Sequence, residues 1–359
     1  GVTETYTYDL LDRVTGVTCS DGQNETYAYN ALGALSVHAG VAVDHQRARV
    51  SGGGTASAGL PATHAGQPVT LDAVGKVTSL QGMTLGWNRL GRLTSAAGGG
   101  TYGHDAFLRR VVDTNTPYGL AMYLYEGPNI VLQAHDSGDY NGWDLSFGYD
   151  GVDHPLWLYH CEHEALVWFE LDTLGNVRRL RGAQRFFAGA ISSPPPDPLP
   201  EPPLPLPTDL GGYKYTAFGR LLPPDAGTPT PTALGQALSQ PMRWQGRWFE
   251  EETGLYDFRN RVWSPELGAS LSPDEFGFFH TEGTLWSWPG QNPIRWRDPT
   301  GRFGDETIVL MHHPEPVPAG LPPGPPSGVF VGVGASATFT GAVSVGAGQF
   351  FGAATPDAA

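Results

Sequence analysis

Two tetrapeptides in the last third of the chain carry the makings of acid–base chemistry, Asp274-Glu275-Phe276-Gly277 and Asp298-Pro299-Thr300-Gly301. Two aspartates that share one proton can divide the work of peptide hydrolysis. One draws a proton from water while the other gives one to the carbonyl. The same residue order also makes an ordinary β-turn, with Asp as the capping residue beside Gly and Pro. A second reactive set, His154, His160, Cys161 and His163, offers the donor atoms that zinc prefers. On a strand, however, His160 and Cys161 point to opposite faces, and no second cluster completes a tetrahedral set. These residues read as hairpin-surface histidines, His312 and His313 as solvated linker, and no metal is expected. No Gly-x-Ser-x-Gly, P-loop, dinucleotide or His-Glu-x-x-His pattern occurs, and no cofactor is expected. Trp244, Trp248, Trp263, Trp286, Trp288 and Trp296 could stack on sugars, but burial of so much aromatic surface favours inward packing.

The elements that must position these residues follow from composition. The 359 residues include 49 glycines and 32 prolines, which penalise helix interiors and argue against a bundle or coiled coil. Aromatics make up 11%, against wholesale disorder. A net charge of -15 excludes nucleic-acid recognition by this surface, since phosphate binding needs clustered Lys and Arg. Cys19 and Cys161 allow one disulfide or two thiols and leave the compartment open. The chain opens directly in strand-like alternation, without an initiator Met or a basic leader, and is read as a fragment of a longer protein.

A repeat organises the chain. Tyr6-Thr7-Tyr8-Asp9 and Tyr27-Ala28-Tyr29-Asn30 begin copies that return at Asp72, Asn88, Asp105, Asp150, Asp172 and, as Tyr215-Thr216-Ala217-Phe218-Gly219, near residue 216. Each copy reads as a strand with aromatics at alternate positions, so on one face. A turn capped by Asp or Asn with a glycine of positive φ follows, and then a new strand. A single hairpin cannot bury its aromatic face alone, so the hairpins must wind together.

This unit resembles the YD repeat of Rhs proteins, of the C components of insecticidal toxin complexes, and of teneurins. The similarity is densest from Phe169-Glu170-Leu171-Asp172 to Asp298-Pro299-Thr300-Gly301. It includes Glu251-Glu252-Thr253-Gly254-Leu255-Tyr256-Asp257-Phe258-Arg259-Asn260-Arg261 and Ser264-Pro265-Glu266-Leu267-Gly268, which resemble the Rhs repeat-associated core. The resemblance implies an all-β fold: a β-spiral shell segment of consecutive hairpins, an Rhs-associated core cap, and irregular Pro/Gly-rich linkers. It also implies an aspartic autoprotease with Asp274 and Asp298 as the catalytic pair, Arg261 as their partner, and cleavage in the stretch Gly301, Arg302, Phe303. Glu275 stands where the family has proline, Arg302 where it has leucine, and the two motifs lie two residues further apart than is common. The implied partners are the chain's own C-terminal effector segment, an immunity protein and secretion machinery, and the implied location is secreted or cell-surface. The alternatives are a non-enzymatic YD-repeat surface or adhesion protein whose core is a structural plug, and a β module that binds a cell-surface glycan.

Four regions are expected. Residues 1–240 form the shell segment, with a Pro-rich insertion at 193–208, and 241–303 the core. A Pro-rich linker covers 304–327, and 328–359 begin a variable region whose glycines and period-two pattern favour strands.

Overall fold

The computed structural model describes residues 3–43, 48–50, 55–56, 59–96, 100–116, 119–136, 141–161, 165–184, 208–223, 240–274 and 283–302. The proline runs at 194–207 and 314–326, His163, His312, His313, Phe303 and the tail from 328 lie outside the described residues.

Each repeat is a strand–turn–strand unit closed by one side chain. In the copy at Asp72, Oδ1 accepts the backbone N–H of Val74 at 3.0 Å and of Lys76 at 2.8 Å. The same two acceptances recur at Asp9, Asn30, Asn88, Asp105 and Asp172. An Asx turn of this kind satisfies amides that the hairpin ladder cannot reach. The third residue after the cap takes a positive φ. It is glycine in most copies but Asp12, Leu108 and Asp153 in three.

A feature the sequence does not display sits beside the turn. The strand pairing skips one residue opposite Tyr8, Tyr29, Leu71, Trp87, His104, Tyr149 and Leu171, always the residue before the cap. Seven bulges at one repeat position add right-handed twist at each hairpin. They also separate the two aromatics of a copy. Tyr27, Tyr102 and Phe147 are buried, whereas Tyr29, His104 and Tyr149 are only half-buried.

Fifteen strands join in one sheet. From Thr208–Gly212 back to Thr70–Leu71 each strand pairs antiparallel with its sequence neighbour, and Thr70–Leu71 then pairs parallel with Ala48–Val50. Val177–Gln184 pairs directly with Thr208–Gly212, so the Pro-rich insertion interrupts a hairpin, and Thr208 already belongs to the returning strand. The N-terminal copies form two three-stranded sheets, Glu4–Tyr8 with Val14–Cys19 and Glu25–Thr26, and Ala28–Tyr29 with Leu35–His38 and Val41–Ala42. The expected core region is a separate four-stranded sheet of Trp248–Glu250, Leu255–Phe258, Arg261–Ser264 and Ala269–Ser270. Two 3-10 turns, Trp244–Gly246 and Pro289–Gln291, are the helical elements among the described residues. No helix among them is long and apolar enough to cross a membrane.

The core sheet and the repeats share their apolar interior. Leu71, Val77 and Leu93 pack with Leu255, Val262 and Trp286, and Tyr27, Tyr215 and Phe218 with Trp244, Tyr256 and Trp263. Polar contacts follow the same route, because core side chains donate to the carbonyls of repeat turns. Asn292 reaches Asp12 at 2.6 Å, Gln291 reaches Gly33 at 2.8 Å, Trp286 reaches Gly75 at 2.9 Å and Tyr256 reaches Gly219 at 3.1 Å. Gly219 holds φ +89°, and a Cβ there would lie 2.6 Å from the Trp244 ring. Gly219→Ala is therefore expected to cost about 2–4 kcal/mol, from the strained φ and the displaced indole together, measured as the loss in chemical-denaturation stability.

Buried His38 gives a second expected outcome. Its Nδ1 lies 3.0 Å from the Glu266 carbonyl oxygen, and its ring stands among Tyr27 and Phe218. Burial, with help from Arg220, pushes its pKa down to about 4. The neutral ring thus contributes stability in full above the unfolded value near 6.5, and that contribution fades as pH falls toward 4. Wild type should lose about 2–3 kcal/mol more than His38→Gln between pH 7.5 and 4.5, as read from urea midpoints at the two pH values.

Candidate functional site

Arg261 opens the third strand of the core sheet, and the turn before it is tightly built. Asn260 N–H donates to the Phe258 carbonyl at 2.8 Å, and Arg259 takes φ +65°. Asp274 follows the fourth strand, where its N–H donates to the Leu285 carbonyl at 2.7 Å. Asp298 heads the second tetrapeptide. The three residues come together. Arg261 Nη2 donates to Asp298 Oδ2 at 2.6 Å, and Arg261 Nη1 lies 3.0 Å from Asp274 Oδ2. All three side chains are buried. One guanidinium therefore bridges the two carboxyl groups. Nη1 approaches Asp274 as an ion pair without hydrogen-bond alignment, and Arg261 Nε has no hydrogen-bond partner among the described residues.

The second tetrapeptide is held carbonyl by carbonyl. Arg247 Nη2 donates to the Asp298 carbonyl at 2.7 Å, Arg259 Nη1 to the Pro299 carbonyl, and Asn260 Nδ2 to the Thr300 carbonyl at 2.7 Å. Gly301 has φ +69°, and any Cβ there would overlap the Phe258 carbonyl oxygen, so this position admits glycine alone. The chain then folds back on its own aspartate. Arg302 N–H donates to Asp298 Oδ1 at 3.0 Å, and Thr300 Oγ1 donates to the Arg302 carbonyl at 3.3 Å. The peptide after Gly301 is thus in contact with one carboxylate of the pair. Of the first tetrapeptide only Asp274 is described, and of the three residues at the expected cut Gly301 and Arg302 are.

Sequence reasoning missed the supports of this site. Arg259 and Asn260 stand beside Arg261 in a run already singled out, but nothing in their types revealed what they hold. Arg247 carried no signal. Burial and the neighbouring Arg259 charge push its pKa down to about 10. Asp153 did carry one, since it occupies the positive-φ place that glycine fills in most other copies. A non-glycine residue held there often marks a position under functional constraint.

The other candidates separate from this site. His154 is half-buried and His160 buried on or beside the strand Pro155–His160, and the described residues contain no group of three or more metal-ligating side chains. Cys19 is a buried free thiol, and burial pushes its pKa up to about 11. Trp244, Trp263, Trp286 and Trp288 are buried, and Trp248 and Trp296 are half-buried. Trp244 packs 4.8 Å from Trp288 and 6.0 Å from Trp263 between ring centres, as expected of core aromatics.

No family model matches the chain. Among curated proteins it is similar to salivary gland surface protein 1 of Aedes aegypti, at 26% identity over 102 residues, 28% of this chain and 3% of that protein. Among solved structures it is similar to a chain of the Photorhabdus luminescens Tc holotoxin pore, with a TM-score of 0.55 and 17% identity over 83% of this chain. A chain of the TcdB2-TccC3 complex gives a TM-score of 0.55 at 16% identity, and one of TcdB2-TccC3-Cdc42 gives 0.56 at 17%, each over 83% of this chain. The chain spans about 15% of the length of these solved chains. At such identities the likeness is one of fold: the described residues share the all-β repeat architecture of Tc toxin chains.

Proposed function

We propose that this chain is the C-terminal part of an Rhs-type polymorphic toxin, in which a β-shell encloses a C-terminal effector and releases it by cutting its own backbone near Gly301–Phe303. One observation carries the reading. A buried guanidinium joins the carboxylates of Asp274 and Asp298, and Asp298 also touches the amide of the peptide that follows Gly301. Burying two like charges on one cation is costly unless a proton is shared between the carboxyls. A pair in that state can take a proton from water with one carboxylate and protonate the attacked carbonyl with the other. The tetrahedral intermediate then collapses, and a carboxyl proton goes to the leaving amine. The products are a new carboxyl terminus and a new amine, with one water consumed.

The Tc-type fold supports the container, and the resemblance in the core supports the blade. Partners follow from the same reading: the effector segment downstream of the cut, an immunity protein, secretion machinery, and an extracellular destination. A second reading is a non-enzymatic surface protein, favoured by the similarity to a protein named for its surface location. N-terminal analysis of the downstream fragment separates the two. Self-cleavage predicts a new amine at residue 302 or 303, whereas a chain with no internal terminus supports the surface protein.

A further inference from the structure

Asp153 is remote from the aspartate pair in sequence yet sits one side chain away from its second motif. It lies buried at the tip of the repeat turn that starts at Asp150 and takes φ +57°. Both of its oxygens receive the Arg259 guanidinium, Oδ2 from Nη1 at 3.1 Å and Oδ1 from Nη2 at 2.6 Å, and Oδ2 is also 3.0 Å from Arg247 Nη2. Those two arginines are the donors to the carbonyls of Pro299 and Asp298. The fit leaves little slack, because a Cβ on Gly246 would overlap the Asp153 carbonyl oxygen, and Arg259 Nε also donates to the Pro128 carbonyl at 3.0 Å. A forked guanidinium held by a bidentate carboxylate is fixed in plane and direction. Without that carboxylate, each arginine is free to leave the carbonyl it holds.

We propose that Asp153 is a positioning residue for the self-cleavage, coupling the docking of one shell turn on the core to the geometry of Asp298. The inference rests on the self-cleaving function proposed above. Asp298 takes its place against Arg261 and the Arg302 amide when the Asp150 turn has brought Asp153 onto Arg247 and Arg259, so cutting waits for this part of the shell to close.

The test uses the full chain. Cleavage is followed by intact mass after synthesis in a cell-free system, for wild type, Asp153→Asn and Asp21→Asn. The last removes the carboxylate that pairs with buried Lys214 away from the site and reports general destabilisation. Asp153→Asn should cut at least tenfold more slowly while Asp21→Asn keeps the wild-type rate. In parallel, in an Asp274→Asn background, adding Asp153→Asn should speed hydrogen exchange at the amides of Asn260, Gly301 and Arg302 but leave Tyr123 and Leu158 unchanged. Wild-type cutting by Asp153→Asn, equal slowing by Asp21→Asn, or unchanged exchange at 260, 301 and 302 each overturns the coupling. A wild-type chain that never cuts overturns the self-cleavage reading itself, and this inference with it.

Discussion

Replacing Asp298 with Asn leaves the chain at full length. The carboxamide keeps the size of the side chain, and its oxygen can still accept the Arg302 amide, but it cannot carry the proton that a two-carboxyl mechanism passes to the carbonyl and the amine. Asp274→Asn is expected to give the same result. Loss of either member of a proton-sharing pair should lower the rate by at least the hundredfold to ten-thousandfold that a positioned acid or base supplies, which converts complete cutting into none on the time scale of expression. Cutting that persists in both single variants would show that the two carboxylates are turn caps. Folding is the necessary control, and denaturation midpoints of the Asn variants should remain close to wild type.

The second large effect belongs to Arg261 and is read in stability. Arg261→Met keeps much of the side-chain volume but removes the cation shared by two buried carboxylates. Breaking a buried ion pair on one side costs about 3–5 kcal/mol, because the remaining charge is stranded. In a background that already carries Asp274→Asn and Asp298→Asn, the buried guanidinium is itself the stranded charge, so the same substitution should cost little or even stabilise the fold. The difference between the two costs is the coupling within the triad, and a double-mutant cycle on urea unfolding measures it. Equal costs in the two backgrounds would mean that Arg261 contributes packing and not charge.

What could be read from the residues divides along a physical line. Local features were legible. Asp72 and Gly75, or Asp172 and Gly175, lie three residues apart, and an Asx turn needs only that short span, so the caps and the positive φ values followed from spacing. The bulges were not legible, because a bulge is a mismatch between two strands, and neither strand alone records it. The inward packing of Trp244, Trp263 and Trp288 follows from their size. The site itself was legible only through resemblance. Asp274 and Asp298 are brought together by the pairing of the core strands and by the Leu285 carbonyl that anchors Asp274, and no periodicity encodes those contacts. Asp153 lay further out of reach. Its link to Arg259 joins residues 106 positions apart, and such closures appear only when the repeats wind onto the core. The one trace it left was an acidic residue standing where glycine usually bends the chain.

The intact mass of the freshly synthesised wild-type chain tests the central claim most directly. Self-cleavage by Asp274 and Asp298 predicts two species whose masses sum to that of the whole chain plus one water, with the break within Gly301–Phe303. A single species of full mass, stable through prolonged incubation of correctly folded protein, would contradict it.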